Sequence, residues 1–147
     1  MRQRGGVRNT IIADSGYWLA LANRRDRLHQ IAVQKTQQNK AILVTTWPVV
    51  TETCHLLLRR IGTKAQTLFM VSYAQGAFDV RILDKLDTLR IPDLMEQYDN
   101  LPMDLADASL ILLADQLGHG RIFSTDQRDF ASYRWKNHHP FENLLLD

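Results

Sequence analysis

LADASLILLADQLGHGRIFSTD, residues 105–126, is the stretch that decides the fold. Ala106, Leu110, Ile111 and Ala114 recur at helical spacing. Asp104 stands before them as an N-cap, and Gly118 follows as a stop. Residues 121–124 then read as a short buried strand, and Asp126 comes just beyond Ile122 and Phe123 by a Ser-Thr step. A helix feeding a strand that ends in a carboxylate is one unit of a layered α/β structure.

The same ending occurs near the N-terminus, where the apolar run over residues 10–13 stops at Asp14. Ser15 and Gly16 open a turn into a helix that Asn23 to Asp26 interrupts. Leu28, Ile31, Ala32 and Lys35 resume the helical spacing. Residues 41–44 predict a second strand. Thr45 or Thr46 is placed to cap the next helix, with Pro48 in its first turn and Val49, Val50, Thr53, Leu56 and Leu57 as its apolar stripe. Gly62 ends that helix, another covers 63–75, and 77–83 alternates through Phe78, Val80 and Ile82 as a strand. Residues 84–97 are helical with Pro92 as a kink or break, and 141–146 form a last edge strand. Strands alternating with helices predict an α/β fold, a three-layer α/β/α sandwich around a mainly parallel sheet.

A length of 147 residues suits one domain, here 10–147, preceded by a flexible basic segment over 1–9. Hydrophobic residues at 45% and charged residues at 23% allow a real core and exclude extended disorder. Cys54 is the single cysteine, so no internal disulfide forms and a reducing, cytoplasmic setting is the default. The apolar runs are too short for a membrane span, and the basic start lacks the apolar region of a signal peptide. Net charge is +2, yet without Arg2, Arg4 and Arg8 the 18 basic residues fall to 15 against 16 acidic ones. Generic attraction for nucleic acid is therefore modest in the folded body.

Four carboxylates carry the chemical signal. In an open parallel sheet, ligands gather beyond the C-terminal strand ends, where Asp14 and Asp126 fall. Both also suit ordinary turns and caps. Glu52 lies three residues after Val49 and four before Leu56, close enough to the apolar stripe to point partly inward. Asp104 caps its helix, while Asp107, flanked by Ala106 and Ala108, stands at the mouth of the core. Converging carboxylates repel one another unless a hard divalent cation supplies the missing charge.

Four segments taken together resemble the PIN-domain family, especially the VapC-like toxins of bacterial toxin–antitoxin pairs. They are IIADSGYWLALANRRDRLHQIAV (11–33), TTWPVVTETCHLL (45–57), LPMDLADASLILLADQLG (101–118) and IFSTDQRDFASYR (122–134). The resemblance implies a PIN-like domain in which Asp14, Glu52, Asp107 and Asp126 meet as catalytic metal ligands. It adds Ser15, Asp104, Thr125 and Asp129 as accessory residues. One or two Mg²⁺ or Mn²⁺ ions would sit there, and the activity implied is endoribonucleolytic cleavage leaving 5′-phosphate ends. A metal neutralises charge growing on the phosphate oxygens and lowers the pKa of water, and a pair of ions does so at a separation of roughly 3.5–4 Å. The implied partners are an RNA substrate of the transfer or ribosomal class, a second copy of the chain and a small DNA-binding antitoxin. No membrane is involved.

Arg24, Arg25 and Arg27 on one side and Arg128 and Arg134 on the other are candidate RNA contacts, set against the plain reading of solvated charge. Trp18, Trp47 and Trp135 are candidates for stacking on bases, with core or interface packing the expectation for Trp18 and Trp47, and Trp18, Leu19 and Leu28 are candidates for partner surfaces. His138 and His139 read as surface residues, and Cys54–His55 as part of a helix rather than a nucleophilic pair. Two rivals to the ribonuclease are a metal-dependent nuclease for single-stranded or structured DNA and an RNA- or antitoxin-binding protein with negligible turnover. Phosphomonoester hydrolysis ranks last, because the stretch from Asp14 to Gly16 lacks a second aspartate two positions onward.

Overall fold

The computed structural model describes residues 9–146; the proposed basic segment lies outside them except for Asn9. Strands β1 (Thr10–Ala13), β2 (Ile42–Thr46), β3 (Asp79–Arg81), β4 (Arg121–Phe123) and β7 (Glu142–Asn143) make one sheet in the order β3-β2-β1-β4-β7. Every pairing in it is parallel, with Ile11 beside Leu43 and Ala13 beside Phe123. The chain builds outward from β1 to β3, then returns to the other side of β1 for β4. This reversal puts the topological switch between β1 and β4, at whose C-terminal ends Asp14 and Asp126 stand.

Helices α1 (Ser15–Ala22), α2 (His29–Gln38), α3 (Trp47–Arg60), α4 (Thr63–Ala74), α5 (Lys85–Thr88), α6 (Ile91–Gln97), α7 (Leu105–Leu117) and α8 (Gln127–Ser132) flank the sheet. The chain is an α/β sandwich with a parallel centre. Its core runs through the sheet and α7: Ile12, Val44, Ile122 and Phe123 are buried, as are Leu110 through Ala114. A second cluster forms where Trp18 meets Phe69 and Phe78 at 5.4 and 4.7 Å between ring centroids. Trp18 and Leu19 are therefore core residues and offer no surface to a partner, and Leu28 is half-buried.

α7 has the bounds that its flanking residues predict. Asp104 accepts from the Asp107 amide at 2.8 Å, and Gly118 ends the helix at φ 77°. The Asn23 to Asp26 interruption also forms, with Asn23 and Asp26 accepting from the amides of Arg25 and Leu28.

Other boundaries move for identifiable reasons. β2 runs on through Thr45 and Thr46, because their hydroxyls are satisfied in the interior, by Ala13 O at 2.9 Å and Ser109 Oγ at 2.6 Å. Thr46 occupies the N-cap position of α3 but makes no side-chain cap. The predicted strand over 77–83 shrinks to three residues: Phe78 is drawn into the aromatic cluster, and Ile82 is 78% exposed. The helix over 84–97 divides before Pro92, which lies in the first turn of α6 where its missing N–H costs nothing. β7 keeps two residues of the predicted edge strand. The hairpin of β5 (Arg134–Trp135) and β6 (His139–Pro140) was not foreseen; Lys136 and Asn137 turn it with φ of 47° and 66°.

Candidate metal centre

Asp14 leaves the end of β1 with its amide bonded to Phe123 O at 3.0 Å, so the β1–β4 ladder itself holds it. One carboxylate oxygen accepts from the Ser15 amide at 2.7 Å and the other from Ser124 Oγ at 3.1 Å. The side chain is buried, and this pushes its pKa up to about 6, with repulsion from Glu52 and Asp126 adding to the rise. Gly16 is needed for a close approach here: a Cβ on it would meet Thr125 Oγ1 at 1.8 Å. The turn after β1 and the loop after β4 are thereby packed backbone against side chain.

Glu52 comes from the second turn of α3, half-buried, and accepts from Ser15 Oγ at 3.0 Å. Burial raises its pKa, and Asp104 across the site repels it further. Asp107 lies in the first turn of α7, where it completes a capping box with Asp104. Its carboxylate accepts from Tyr133 Oη at 3.2 Å. Burial first, then the charges of Asp104 and Asp14, push its pKa up to about 8. Asp126 N-caps α8 by accepting from the Asp129 amide at 3.2 Å, and its own amide bonds Ser124 Oγ at 2.9 Å. Asp129 is raised to about 6 by burial and by Asp126.

The fold thus brings Asp14, Glu52, Asp104, Asp107, Asp126 and Asp129 into one electrostatic neighbourhood. Among the described residues none of the six forms an ion pair with lysine or arginine; the Arg90–Asp115 pair at 2.7 Å lies elsewhere. Nor do any three His, Cys, Asp or Glu side chains among the described residues close to ion-sharing distance. The donor set consists of hard oxygens, and burial of several carboxylates without a compensating cation leaves their protons tightly held. Both properties fit a hard divalent cation such as Mg²⁺ or Mn²⁺.

Two contacts of this centre escape a reading of the chain alone. Ser124, rather than its neighbour Thr125, supplies the hydroxyl that links Asp14 to the backbone of Asp126. Tyr133, fully buried, orients Asp107, and burial first, then the neighbouring acids, hold its phenol well above the usual tyrosine range. Asn143 of β7 in turn clamps Ser124, accepting from its amide and donating to its carbonyl.

The arginines separate into different settings. Arg27 and Arg60 line a cleft of about 360 Å³ with Asp26 and Thr125 next to the acidic site, while Arg24, Arg25 and Arg128 lie outside it; all five arginines are exposed. Arg134 turns Nη1 back onto the carbonyls of Ala131, Ser132 and Tyr133, which engages it in closing α8. Arg60, at the end of α3, had no signal in the chain beyond its charge. Trp47 departs from core packing: it is 42% exposed beside Glu52. His138 is exposed and meets His139 at a tilt, and His139 stacks on Trp135; Cys54 is half-buried, and burial raises its thiol.

The arrangement of acids at the β1–β4 switch coincides with a family match over residues 11–136, to the PIN domain model. The chain belongs to the PIN-domain family. Ribonuclease VapC26 of Mycobacterium tuberculosis is 23% identical to this PIN domain over 124 residues, covering 84% of this chain and 92% of the relative. The crystal structure of Mycobacterium tuberculosis VapC20, described as a toxin that cleaves the sarcin-ricin loop, superposes with a TM-score of 0.74 at 20% identity. That match covers 80% of this chain and 91% of VapC20, and it establishes the shared fold. No helix among the described residues of the PIN domain is long and apolar enough to cross a membrane.

Proposed function

We propose that the chain is a divalent-metal-dependent endoribonuclease of the VapC type, with residues 10–147 as its nuclease domain. The observation that carries this reading is the buried, unpaired carboxylate cluster centred on Asp14 at the switch between β1 and β4. Asp14, Glu52 and Asp107 would hold one Mg²⁺ or Mn²⁺, and Asp126 with Asp129 would face it or a second ion. Bound there, the ion supplies Lewis acidity toward the phosphodiester and toward water.

The protein's own residues do the positioning. Ser124 and the Ser15 amide fix the two oxygens of Asp14, Ser15 Oγ turns Glu52 inward, and Tyr133 orients Asp107. Burial and mutual repulsion hold Asp14 and Asp107 up to about 6 and about 8 without an ion, so binding of the ion near neutrality would displace protons from them and leave them ionised as its ligands. Arg27 and Arg60, with Arg24, Arg25 and Arg128 on the surrounding surface, would track the RNA phosphates.

The named activities of the two relatives support RNA rather than DNA as substrate, and a ribosomal RNA loop as one class to test. A homodimer and a small antitoxin belong to the same reading. The exposed apolar residues Ile82, Leu86 and Leu89 support a protein contact on that side of the molecule. Purified chain, D14N and D107N should be assayed on matched RNA and DNA oligonucleotides with and without Mg²⁺ or Mn²⁺. Metal-dependent RNA products with 5′-phosphate ends, lost in both variants, are expected; equal cutting of DNA favours the DNA nuclease, and saturable RNA binding without products favours the binding protein.

A further inference from the structure

Beside the acidic cluster runs a groove of about 580 Å³ between the N-terminal halves of α3 and α7. Trp47, Thr51 and His55, four residues apart, present one face of α3 to it. Leu105 forms part of the opposite wall, 49% exposed, and Glu52 and Asp104 line the same space. The groove therefore opens directly off the carboxylates proposed to act on the phosphodiester.

Its chemistry selects what it accepts. The two acids on its walls repel a phosphate, which the cleft of Arg27 and Arg60 attracts instead. What suits the groove is flat, neutral and able to hydrogen-bond at its edge. Trp47 offers a large exposed aromatic surface, and an edge contact with Tyr73 at 5.7 Å and 76° holds its ring in place. Thr51 and His55 line the groove, and among the described residues neither side chain has a hydrogen-bond partner. The cavity falls within the range of small-ligand sites, roughly 300–1,000 Å³.

We propose that this groove is a nucleobase subsite: Trp47 stacks the unpaired base of the nucleotide beside the scissile phosphate, while Thr51 and His55 meet its edge. The assignment rests on the ribonuclease reading and names the residues that set its sequence preference. Stacking tolerates any base, so the edge contacts of His55 and Thr51 discriminate. Single-stranded RNA is the form that enters, because a paired base keeps its face and edge inside the helix.

The test uses the full chain carrying D14N, so that binding is measured without cleavage. The probes are a short single-stranded RNA of mixed sequence and a series in which each base in turn is removed from its ribose. W47A should bind the intact RNA roughly 5- to 150-fold more weakly, the range that loss of one stacked base gives. Removing one particular base should weaken D14N by a similar factor and leave D14N/W47A unchanged. W47F should retain most of the affinity, and Mn²⁺ affinity of W47A with Asp14 intact should match the unsubstituted chain. H55A should alter which base is preferred, with a smaller loss of affinity.

Equal binding of intact and base-deleted RNA by D14N, or W47A with unaltered affinity, overturns the subsite. A W47A chain that loses self-association while keeping its RNA affinity also overturns it and makes the groove a protein interface. The ribonuclease reading fails separately, through lack of metal-dependent cleavage by the chain with Asp14 intact. Cleavage that needs Asp14 but ignores Trp47 rejects only the subsite.

Discussion

Tyr133 and Ser124 decide how much of the acidic cluster's geometry is built before a metal arrives. Each holds a carboxylate by one hydrogen bond, to Asp107 at 3.2 Å and to Asp14 at 3.1 Å. Groups that orient a metal ligand typically govern 10- to 100-fold of metal affinity. Y133F should therefore weaken Mn²⁺ binding by about that factor with little change in secondary structure, measured by calorimetry; an unchanged affinity would remove Tyr133 from the site. The pH dependence has a definite sign. Asp14 and Asp107 keep their protons to about 6 and about 8, above the ordinary value of 3.8. Between pH 4 and 8 the metal-free fold then holds more protons than the unfolded chain, so these groups lower its stability as pH rises through that window. His119 works the other way. Half-buried between Thr10 and the Arg121 amide, it is lowered to about 4, and its contribution is lost as pH falls from 6.5 toward 4. Denaturant midpoints across pH 4–8 should show the alkaline decline of the metal-free chain flattened in metal-free D107N and in the unsubstituted chain saturated with Mn²⁺. A decline of equal depth in both would contradict the assignment.

At the scale of elements, the site depends on contacts that lock α3 and α7 to the sheet. Thr46 ends β2 and shares a buried hydrogen bond with Ser109 of α7 at 2.6 Å, while Ser109 also bonds Ala106 O at 2.7 Å. T46V leaves the Ser109 oxygen short of a partner and should cost about 1–3 kcal/mol in urea denaturation. Activity should fall as well, because α3 carries Glu52 and α7 carries Asp107. G16A drives a methyl into Thr125 and spreads the turns that hold Asp14 and Asp126, with an expected loss of about 1–3 kcal/mol. α7 and β1 were legible in the chain because their ends are marked chemically, by Asp104, Gly118 and the arrest of the apolar run at Asp14. β2 was misjudged at its end because Thr45 and Thr46 look like surface caps until partners 32 and 63 residues away accept their hydroxyls. The same limit hid Ser124 and Tyr133, whose contacts span 110 and 26 residues.

For the whole molecule, the parallel sheet was legible from the alternation of elements, and the positions of Asp14 and Asp126 at strand ends followed from it. Why the four acids should converge was not, because strand order is a property of the assembled sheet: β4 returns to the far side of β1, and this puts Phe123 next to Ala13. Of the two settings expected for Trp47, core or interface, the core is ruled out for a related reason. Its apolarity suggests a core position, but the core beneath the first turn of α3 is filled by Val49 and Val50, which leaves the indole at the rim. The central claim is that this PIN domain cuts RNA with a divalent ion held by the cluster around Asp14. Incubating purified chain and D14N with a structured RNA, with Mn²⁺ or with chelator, and sequencing the 5′-phosphate ends tests it most directly. The account predicts reproducible cuts at unpaired positions that require both Mn²⁺ and Asp14. Cuts that persist in D14N or in chelator, or none from a folded, Mn²⁺-saturated chain on any RNA, would contradict it.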